Sequence, residues 1–273
     1  MAVVLTSKAI ILPDQDVFAP RLGVDSLFRR TGVTVTESAE TVGFESENAY
    51  AEGFTFDFWR PGVAGINWLR ATLPIAYMSN YMGIAAHDLH LNGATIKAQH
   101  STDGGATWTD SSSEYKPGTS EPLMILYDDV FAADHRLWIN SPVPVTIGVV
   151  NMGQALKFDA PISAPWSPPH LARRNRFMTE VSESGNFLGR VIVADGARLE
   201  LDVRGIGMGW AREDWEDTVR MLENYPFFFA ARDRASMVSE QEVFYGFTEE
   251  QPISQYDSNV YGSLALRARG IVT

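Results

Sequence analysis

The sequence predicts a mainly β protein with two domains and one helix in the second. Three observations predict this fold class: many short apolar runs with period-two alternation, a proline-rich stretch past the middle of the chain, and one segment with helical spacing. The 273 residues exceed the usual size of a single domain, while 45% hydrophobic and 21% charged residues are ordinary globular composition. No internal repeat of fixed period is present, which argues against solenoids and propellers.

The first predicted domain covers residues 1–160. Val33 and Val35 alternate with threonines and predict a strand over residues 31–36, and Phe54, Phe56 and Phe58 alternate with polar residues and predict another over residues 54–59. Further strands are predicted at residues 67–73, 81–86, 94–100, 122–127, 136–141 and 145–150. Strands at such close spacing predict a β-sandwich or jelly roll, because each sheet needs a second sheet to bury its apolar face.

A proline-rich linker is predicted over residues 161–170, since proline lacks the backbone donor of a β-ladder and favours extended chain. The second domain, residues 171–273, shows strand-like runs at residues 187–193, 198–203, 227–231, 243–247 and 262–268. Its helix is predicted at about 211–224, where Trp215, Val219 and Leu222 fall on one face. Glu213 and Asp214 then lie in the first turn, where the helix dipole favours negative charge.

Charge and composition exclude several classes of function. Twenty-two Lys and Arg residues against 34 Asp and Glu residues give a net charge of −12, so no nucleic-acid partner is expected. The absence of cysteine excludes disulfides, thiol catalysis and cysteine-ligated metals. The first 13 residues lack the pattern of a signal peptide, and no apolar stretch is long enough to span a membrane, so we expect a soluble protein made in a cytoplasm.

The sharpest local motif is an Asp-box, formed by Ser101, Asp103, Gly104, Gly105 and Trp108. The aspartate can accept backbone amides of a tight turn, the glycines allow positive φ, and the tryptophan packs the returning strand. Sialidases carry several such boxes together with a catalytic set, whereas one copy is present here. We therefore interpret it as a structural hairpin.

The sequence predicts neither a metal site nor a pair of acid–base residues. His87, His90 and His100 lie close in sequence, but a spacing of three places the first two on opposite faces of a strand. Adjacent carboxylates on a strand also point to opposite sides. This applies to Asp128 with Asp129 and to Glu249 with Glu250. We expect no metal, no cofactor and no enzymatic activity.

Aromatic residues near turns offer a possible glycan site. Trp59, Tyr77 and Tyr81 adjoin predicted turns, where an exposed ring could stack on a sugar while Asp88 bonds its hydroxyls. Packing of these rings in the core is the alternative, and the sequence leaves both open.

Residues 80–89, 93–96 and 99–108 carry a resemblance to the discoidin-like, galactose-binding-like β-sandwich. The order is a strand ending in a turn with His87 and Asp88, a Gly-Ala-Thr-Ile strand, and the hairpin with Trp108. The resemblance covers about residues 54–158 and implies a jelly-roll sandwich for the first domain. The chain departs from secreted discoidin domains in lacking a cysteine pair, and no ligand residue of that family can be carried over.

The whole arrangement is also similar to tail proteins of long-tailed bacteriophages. The matching segments are Leu171 to Arg174, residues 183–190, a Pro-Phe-Phe-Phe segment from Pro226, a Val-Phe-Tyr-Gly strand from Val243, and residues 263–270. The resemblance implies a structural component of the virion tail tip, of the distal tail or adaptor kind, made in the host cytoplasm. Its expected partners are copies of itself in a ring, other tail proteins, and a host surface glycan.

Two alternatives to the tail protein remain. One is a carbohydrate-binding module protein, used in host adsorption or on its own. The other is a glycoside hydrolase, which a single Asp-box and the absence of a convergent acid pair make the weaker hypothesis.

Overall fold

The computed structural model describes residues 2–5, 19–169, 171–172, 176–194, 196–231 and 242–271. Within these ranges the chain is mainly β with one helical segment, so the predicted fold class is confirmed. The strands are β1 (Ala2–Leu5), β2 (Arg21–Gly23), β3 (Thr34–Glu37), β4 (Gly65–His87), β5 (Thr95–Ser101), β6 (Thr109–Asp110), β7 (Leu123–Ser141), β8 (Ile147–Gly153), β9 (Leu156–Lys157), β10 (Arg176–Val181), β11 (Phe187–Ala194), β12 (Gly196–Gly207), β13 (Phe227–Ala230), β14 (Val243–Thr248), β15 (Ile253–Tyr256) and β16 (Tyr261–Ile271). Short 3₁₀ turns lie at Leu27–Arg29 and Ser46–Ala49.

The first sheet has the order β3-β4-β7-β5-β6, with β8 also paired to β4 and β1 parallel to β7. Two pairs of predicted strands are continuous here: β4 spans 23 residues and β7 spans 19. Register shifts between Thr72 and Tyr77 and between Ser79 and Tyr81 interrupt the ladder without ending it. Bulges of this kind bend a strand, so one long strand serves two parts of the sheet where the sequence suggested separate strands.

One predicted strand is not formed. Of residues 54–59 only Trp59 takes part in β pairing, through a bridge to Ile147. Phe54 and Phe56 are exposed and stack on each other, with ring centroids 5.0 Å apart. The prediction of a strand over residues 54–59 is therefore wrong. Phe54 and Phe56 stack on each other in an irregular loop, and the backbone of residues 54–58 pairs with no strand of the described chain.

The second sheet has the order β12-β16-β14-β13-β2-β9, with β15 also paired to β16. Two of its strands, β2 and β9, come from the predicted first domain. Residues before the predicted linker therefore form one edge of this sheet. The predicted helix is present as α1 (Met208–Trp210), a π-helical turn (Ala211–Trp215) and α2 (Glu216–Leu222). Trp215 and Leu222 are buried against this sheet, as the helical spacing predicted. None of the described helices is long and apolar enough to cross a membrane.

The proline-rich segment lies against β12 over part of its length. Ile162 forms a bridge with Val203, and the Ser163 amide donates a hydrogen bond of 2.8 Å to the Asp202 carbonyl. His170, Arg173 and Arg174, which belong to the predicted linker and tail-protein motif, lie outside the described residues.

A shared apolar cluster joins the two sheets. Tyr81, Met124 and Val149 of the first sheet pack with Phe228 and Tyr245 of the second, and all five are buried. Two further clusters lie inside the first and second sheet regions. The sheets therefore contact each other through a continuous core.

Candidate functional site

Two of the four predicted glycan contacts have no exposed ring. Trp59 is fully buried, and its Nε1 donates a hydrogen bond of 3.1 Å to the Ala39 carbonyl. Tyr81 is also fully buried in the cluster between the sheets, and its hydroxyl donates to the Asp25 carbonyl. Neither ring has a face on which a sugar could stack, so the structure places both in the core.

The other two predicted contacts are half-buried and already engaged. Arg30 lies over the Tyr77 ring, with its Cζ 5.2 Å from the centroid. The Asp88 carboxylate accepts hydrogen bonds of 2.7 Å from both the backbone amide and the hydroxyl of Thr146. Asp88 and Trp59 bond to residues at the start of β8, Thr146 and Ile147 respectively. Tyr81 pairs with Gly153 at the other end of β8, about 20 Å along the strand. The four residues do not form one site.

The three histidines and three of the four carboxylates considered for chemistry are held by separate partners, whereas the buried Oδ1 of Asp128 has no hydrogen-bond partner among the described residues. His87 Nε2 lies 3.1 Å from the Glu121 carbonyl, His90 Nδ1 3.2 Å from the Pro117 carbonyl, and His100 Nδ1 2.8 Å from the Ser111 hydroxyl. Glu249 forms an ion pair with Arg198, Glu250 with Arg267, and Asp129 accepts from Asn80. No group of three potential metal ligands occurs among the described residues.

The Asp-box forms the structural hairpin that the sequence predicted, between β5 and β6. Asp103 accepts hydrogen bonds from the amide and hydroxyl of Thr107, at 2.9 and 2.6 Å, and from the Ser101 hydroxyl at 2.6 Å. These side-chain bonds, from Ser101 first and then Thr107, hold the pKa of Asp103 well below its usual range. Gly104 and Gly105 adopt φ of 74° and 90°, which only glycine adopts readily.

The most distinctive surface is the outer side of the first sheet, which we call the tryptophan–arginine face. Residues paired across strands share a side of the sheet, and here Trp68 pairs with Trp138 and Trp138 with Lys97. The next row pairs Arg70 with Arg136 and Arg136 with Gln99. The face comprises the half-buried residues Trp68, Arg70, Lys97, Trp108, Asp110, Arg136 and Trp138, together with the buried side chains of Gln99 and Asp134, which bond to them. On these strands the intervening residues are buried, which leaves this side toward solvent.

Cations are stacked against the tryptophans of this face. The Arg136 Cζ lies 3.9 Å and the Arg70 Cζ 5.4 Å from the Trp108 ring centroid, and the Lys97 Nζ lies 4.6 Å from that of Trp138. Such contacts are favourable because the ring face carries partial negative charge. Partial burial, and after it the nearby Arg70 cation, lower the pKa of Arg136 below its usual value.

Two hydrogen-bonded groups hold these cations in place. Asp110 accepts from Lys97 at 3.1 Å and from Gln99 at 2.6 Å, and the Gln99 oxygen accepts from Arg136 Nε at 2.7 Å. On the neighbouring side, Asp134 accepts from Arg70 Nη2 at 2.7 Å and from the Thr72 hydroxyl at 2.8 Å. The side chains are therefore fixed before any ligand arrives.

The face has the elements of a binding surface for a ring-shaped polar ligand. Half-buried tryptophans supply flat apolar area, and Arg136, whose Cζ lies over the Trp108 ring, supplies hydrogen-bond donors at its terminal nitrogens. The strands that carry this face are predicted from the sequence, but the face itself is not. The signal was present in Trp68-Leu69-Arg70-Ala71-Thr72, where the residues that alternate with the apolar ones are tryptophan and arginine.

No protein-family model matches the chain. No characterised protein matches it by sequence.

Solved structures are similar to part of the chain at low sequence identity. They include a fucosidase from Ruminococcus gnavus in complex with fucose, at 12% identity over 48% of this chain with a TM-score of 0.42. A module from Clostridium perfringens in complex with GalNAc-β-1,3-galactose matches 45% of this chain and 95% of its own length, at 16% identity with a TM-score of 0.38. A chitosan-binding module from Paenibacillus sp. IK-5 matches 48% of this chain and 99% of its own length, at 19% identity with a TM-score of 0.39. The chain spans 27% of the fucosidase's length.

Proposed function

We propose that the protein binds a glycan on the tryptophan–arginine face. The observation that supports this most directly is the cross-strand pair of Trp68 and Trp138 on the solvent side of the sheet, next to the Trp108 and Arg136 stack. Tryptophan rings pack against the apolar face of a sugar, and fixed cations and amides bond its hydroxyls. The function is recognition of the glycan, with no chemical step assigned to the face.

The charges of the face favour glycans with acidic groups. The face has three cations, Arg70, Lys97 and Arg136, and two carboxylates, those of Asp110 and Asp134. It is therefore locally positive, although the net charge of the chain is −12. The guanidinium of Arg136 suits a carboxylate or sulfate, because its planar fork can donate two parallel hydrogen bonds. Neutral glycans bind through the tryptophans alone and more weakly.

The test is binding of the wild-type protein to an array of neutral and acidic glycans, followed by titration of the best ligand with tryptophan fluorescence. We expect Trp138→Ala to weaken binding by about tenfold or more, equivalent to about 1.4 kcal/mol. Phe56→Ala is the matched control, because Phe56 is an exposed aromatic outside the face. Circular dichroism checks that each variant is folded. Absence of any bound glycan, or equal effects of the two substitutions, contradicts the proposal.

The second candidate function is the structural role in a phage tail tip that the sequence resemblance implies. The observation in its favour is an exposed apolar surface on hairpin β10–β11, since a ring component needs such a surface for its neighbours. Negative-stain imaging of the protein, alone and mixed with tail-tube protein, tests this role. Rings or tube-end caps support it, and dispersed single particles in both samples contradict it.

A further inference from the structure

The Asp-box hairpin closes one end of the tryptophan–arginine face. It follows β5, and its Gly104 carbonyl accepts a hydrogen bond of 2.8 Å from Arg70 of β4, which lies two strands away in the sheet. A Cβ on Gly105 would fall 2.6 Å from the same guanidinium, so the hairpin backbone lies directly against it. Trp108, on the returning side of the hairpin, stacks with Arg136 of β7. The hairpin therefore blocks any ligand chain that would continue past the two arginines.

The opposite end of the face is open. Two residues away from the Trp68–Trp138 pair, Ile66 pairs with Asn140, and Asn140 pairs with Thr95 of β5. Side chains two apart on a strand share a side of the sheet, so this row continues the face. Ile66 and Asn140 are exposed, and Thr95 is half-buried. From the arginines to this row the face extends about 14 Å along the strands, enough for more than one sugar unit.

The positive charge that a ligand can reach lies at the closed end. Arg70 and Lys97 are each paired with a carboxylate of the face, whereas Arg136 has no carboxylate partner among the described residues. The Arg136 Nε donates to Gln99, and its two terminal nitrogens form no hydrogen bond with a described residue. A planar carboxylate can accept from both of these nitrogens in parallel. The face therefore has a place for one acidic group, next to the hairpin.

The rest of the face offers apolar and neutral polar groups. The Trp68 and Trp138 rings lie in the row next to the arginines, and Ile66 and the Asn140 amide lie in the open row beyond them. Aromatic rings pack on the apolar side of a sugar, and an amide donates to and accepts from its hydroxyls. These rows suit neutral sugars that follow the acidic one.

We infer that the face binds the end of a glycan chain, with the carboxylate of a terminal uronic acid on Arg136. The neutral sugars that follow lie over Trp68 and Trp138 and lead out past Asn140. This assignment rests on glycan binding at the face, the proposed function, and adds where the acid lies and in which direction the chain runs.

Two oligosaccharides test the closed end. The first is glucuronyl-lactose, a trisaccharide with glucuronic acid at its non-reducing end, and the second carries a further galactose on that glucuronic acid. Calorimetric titration of the wild-type protein measures both affinities. We expect the second compound to bind about tenfold more weakly or worse, because its added sugar meets the hairpin. Equal or tighter binding of the longer compound overturns the inference, since a groove open at both ends would accept it.

The variant Asn140→Ala tests the open end. We expect it to weaken binding of glucuronyl-lactose by about fivefold, the loss of one hydrogen bond, and to leave binding of methyl glucuronide unchanged. A single sugar held by Arg136 does not reach Asn140. Asn259→Ala is the matched control, because Asn259 is an exposed asparagine beyond the first sheet. Equal effects of the two substitutions on glucuronyl-lactose contradict the direction of the chain.

The variant Arg136→Gln tests the position of the acid. It should bind glucuronyl-lactose no more tightly than lactose, whereas the wild-type protein should prefer glucuronyl-lactose by about tenfold. A retained preference in the variant, or no binding of glucuronyl-lactose by a protein that binds other glycans on this face, overturns this inference alone. Glycan binding that Trp138→Ala leaves unchanged overturns the proposed function as well.

Discussion

Gly83 of β4 lies directly against the ring of Phe228 of β13, so close that a Cβ on Gly83 would fall 2.5 Å from a ring carbon. The contact joins the two sheets at the cluster that they share. Glycine is required there for space, since the Phe228 ring occupies the position of any side chain.

Gly83→Ala should therefore destabilise the protein by about 1–3 kcal/mol through overpacking. Urea unfolding followed by fluorescence measures the change. Gly209→Ala is the matched control, because no atom lies within 4 Å of its would-be Cβ and alanine favours the helix it enters. If Gly83→Ala is as stable as the control, the two sheets are not packed as closely as described.

Asp134 holds Arg70 and Thr72 and is nearly inaccessible to solvent. Asp134→Ala should cost about 2–4 kcal/mol, because it leaves a partly buried guanidinium without its counter-ion. The same substitution releases Arg70 from the Trp108 stack, so glycan affinity should fall as well. Chemical denaturation and the fluorescence titration measure the two effects, and a change below about 0.5 kcal/mol argues against this network.

Alanine substitutions at Gly105 and Gly104 distinguish the effect of a steric clash from that of backbone strain in the Asp-box hairpin. Both have positive φ, but a Cβ on Gly105 would lie 2.6 Å from the Arg70 guanidinium, whereas a Cβ on Gly104 meets nothing within 4 Å. We expect both alanine variants to lose about 1 kcal/mol from strain, and Gly105→Ala alone to weaken glycan binding by moving Arg70. Equal binding by the two variants contradicts a role for Arg70 at the face.

Stability should fall in mild acid because two buried histidines stay neutral in the folded chain. Burial lowers the pKa of His87 and of His135 from the usual 6.5 to about 4, an effect that hydrogen bonds to backbone carbonyls only partly offset. Between these values the unfolded chain binds more protons, so the free energy of unfolding decreases as pH falls from about 6.5 to 4, by about 3 kcal/mol per histidine.

Urea unfolding from pH 7.5 down to about 4.5 tests this dependence. His135→Gln removes one of the titrating groups and should flatten the pH profile, while its amide can still donate to the Ala132 carbonyl, which lies 3.0 Å from His135 Nε2. Identical profiles for wild type and His135→Gln would show that His135 does not cause the dependence.

Local sequence patterns are sufficient to predict the β class, the helical segment and the Asp-box hairpin. These features depend on local chemistry: period-two alternation, apolar residues at i, i+4 and i+7, and a turn closed by Asp103 and two glycines.

Which residues share a surface depends instead on how the strands pair and how the sheets pack. Trp59 and Tyr81 both adjoin predicted turns, yet Trp59 is buried in the core of the first sheet region and Tyr81 in the cluster between the two sheets. Trp68, Trp138, Lys97 and Arg136 come from three segments, and strand register brings them together. Register and sheet packing depend on contacts between residues far apart in the chain, so local patterns do not specify them.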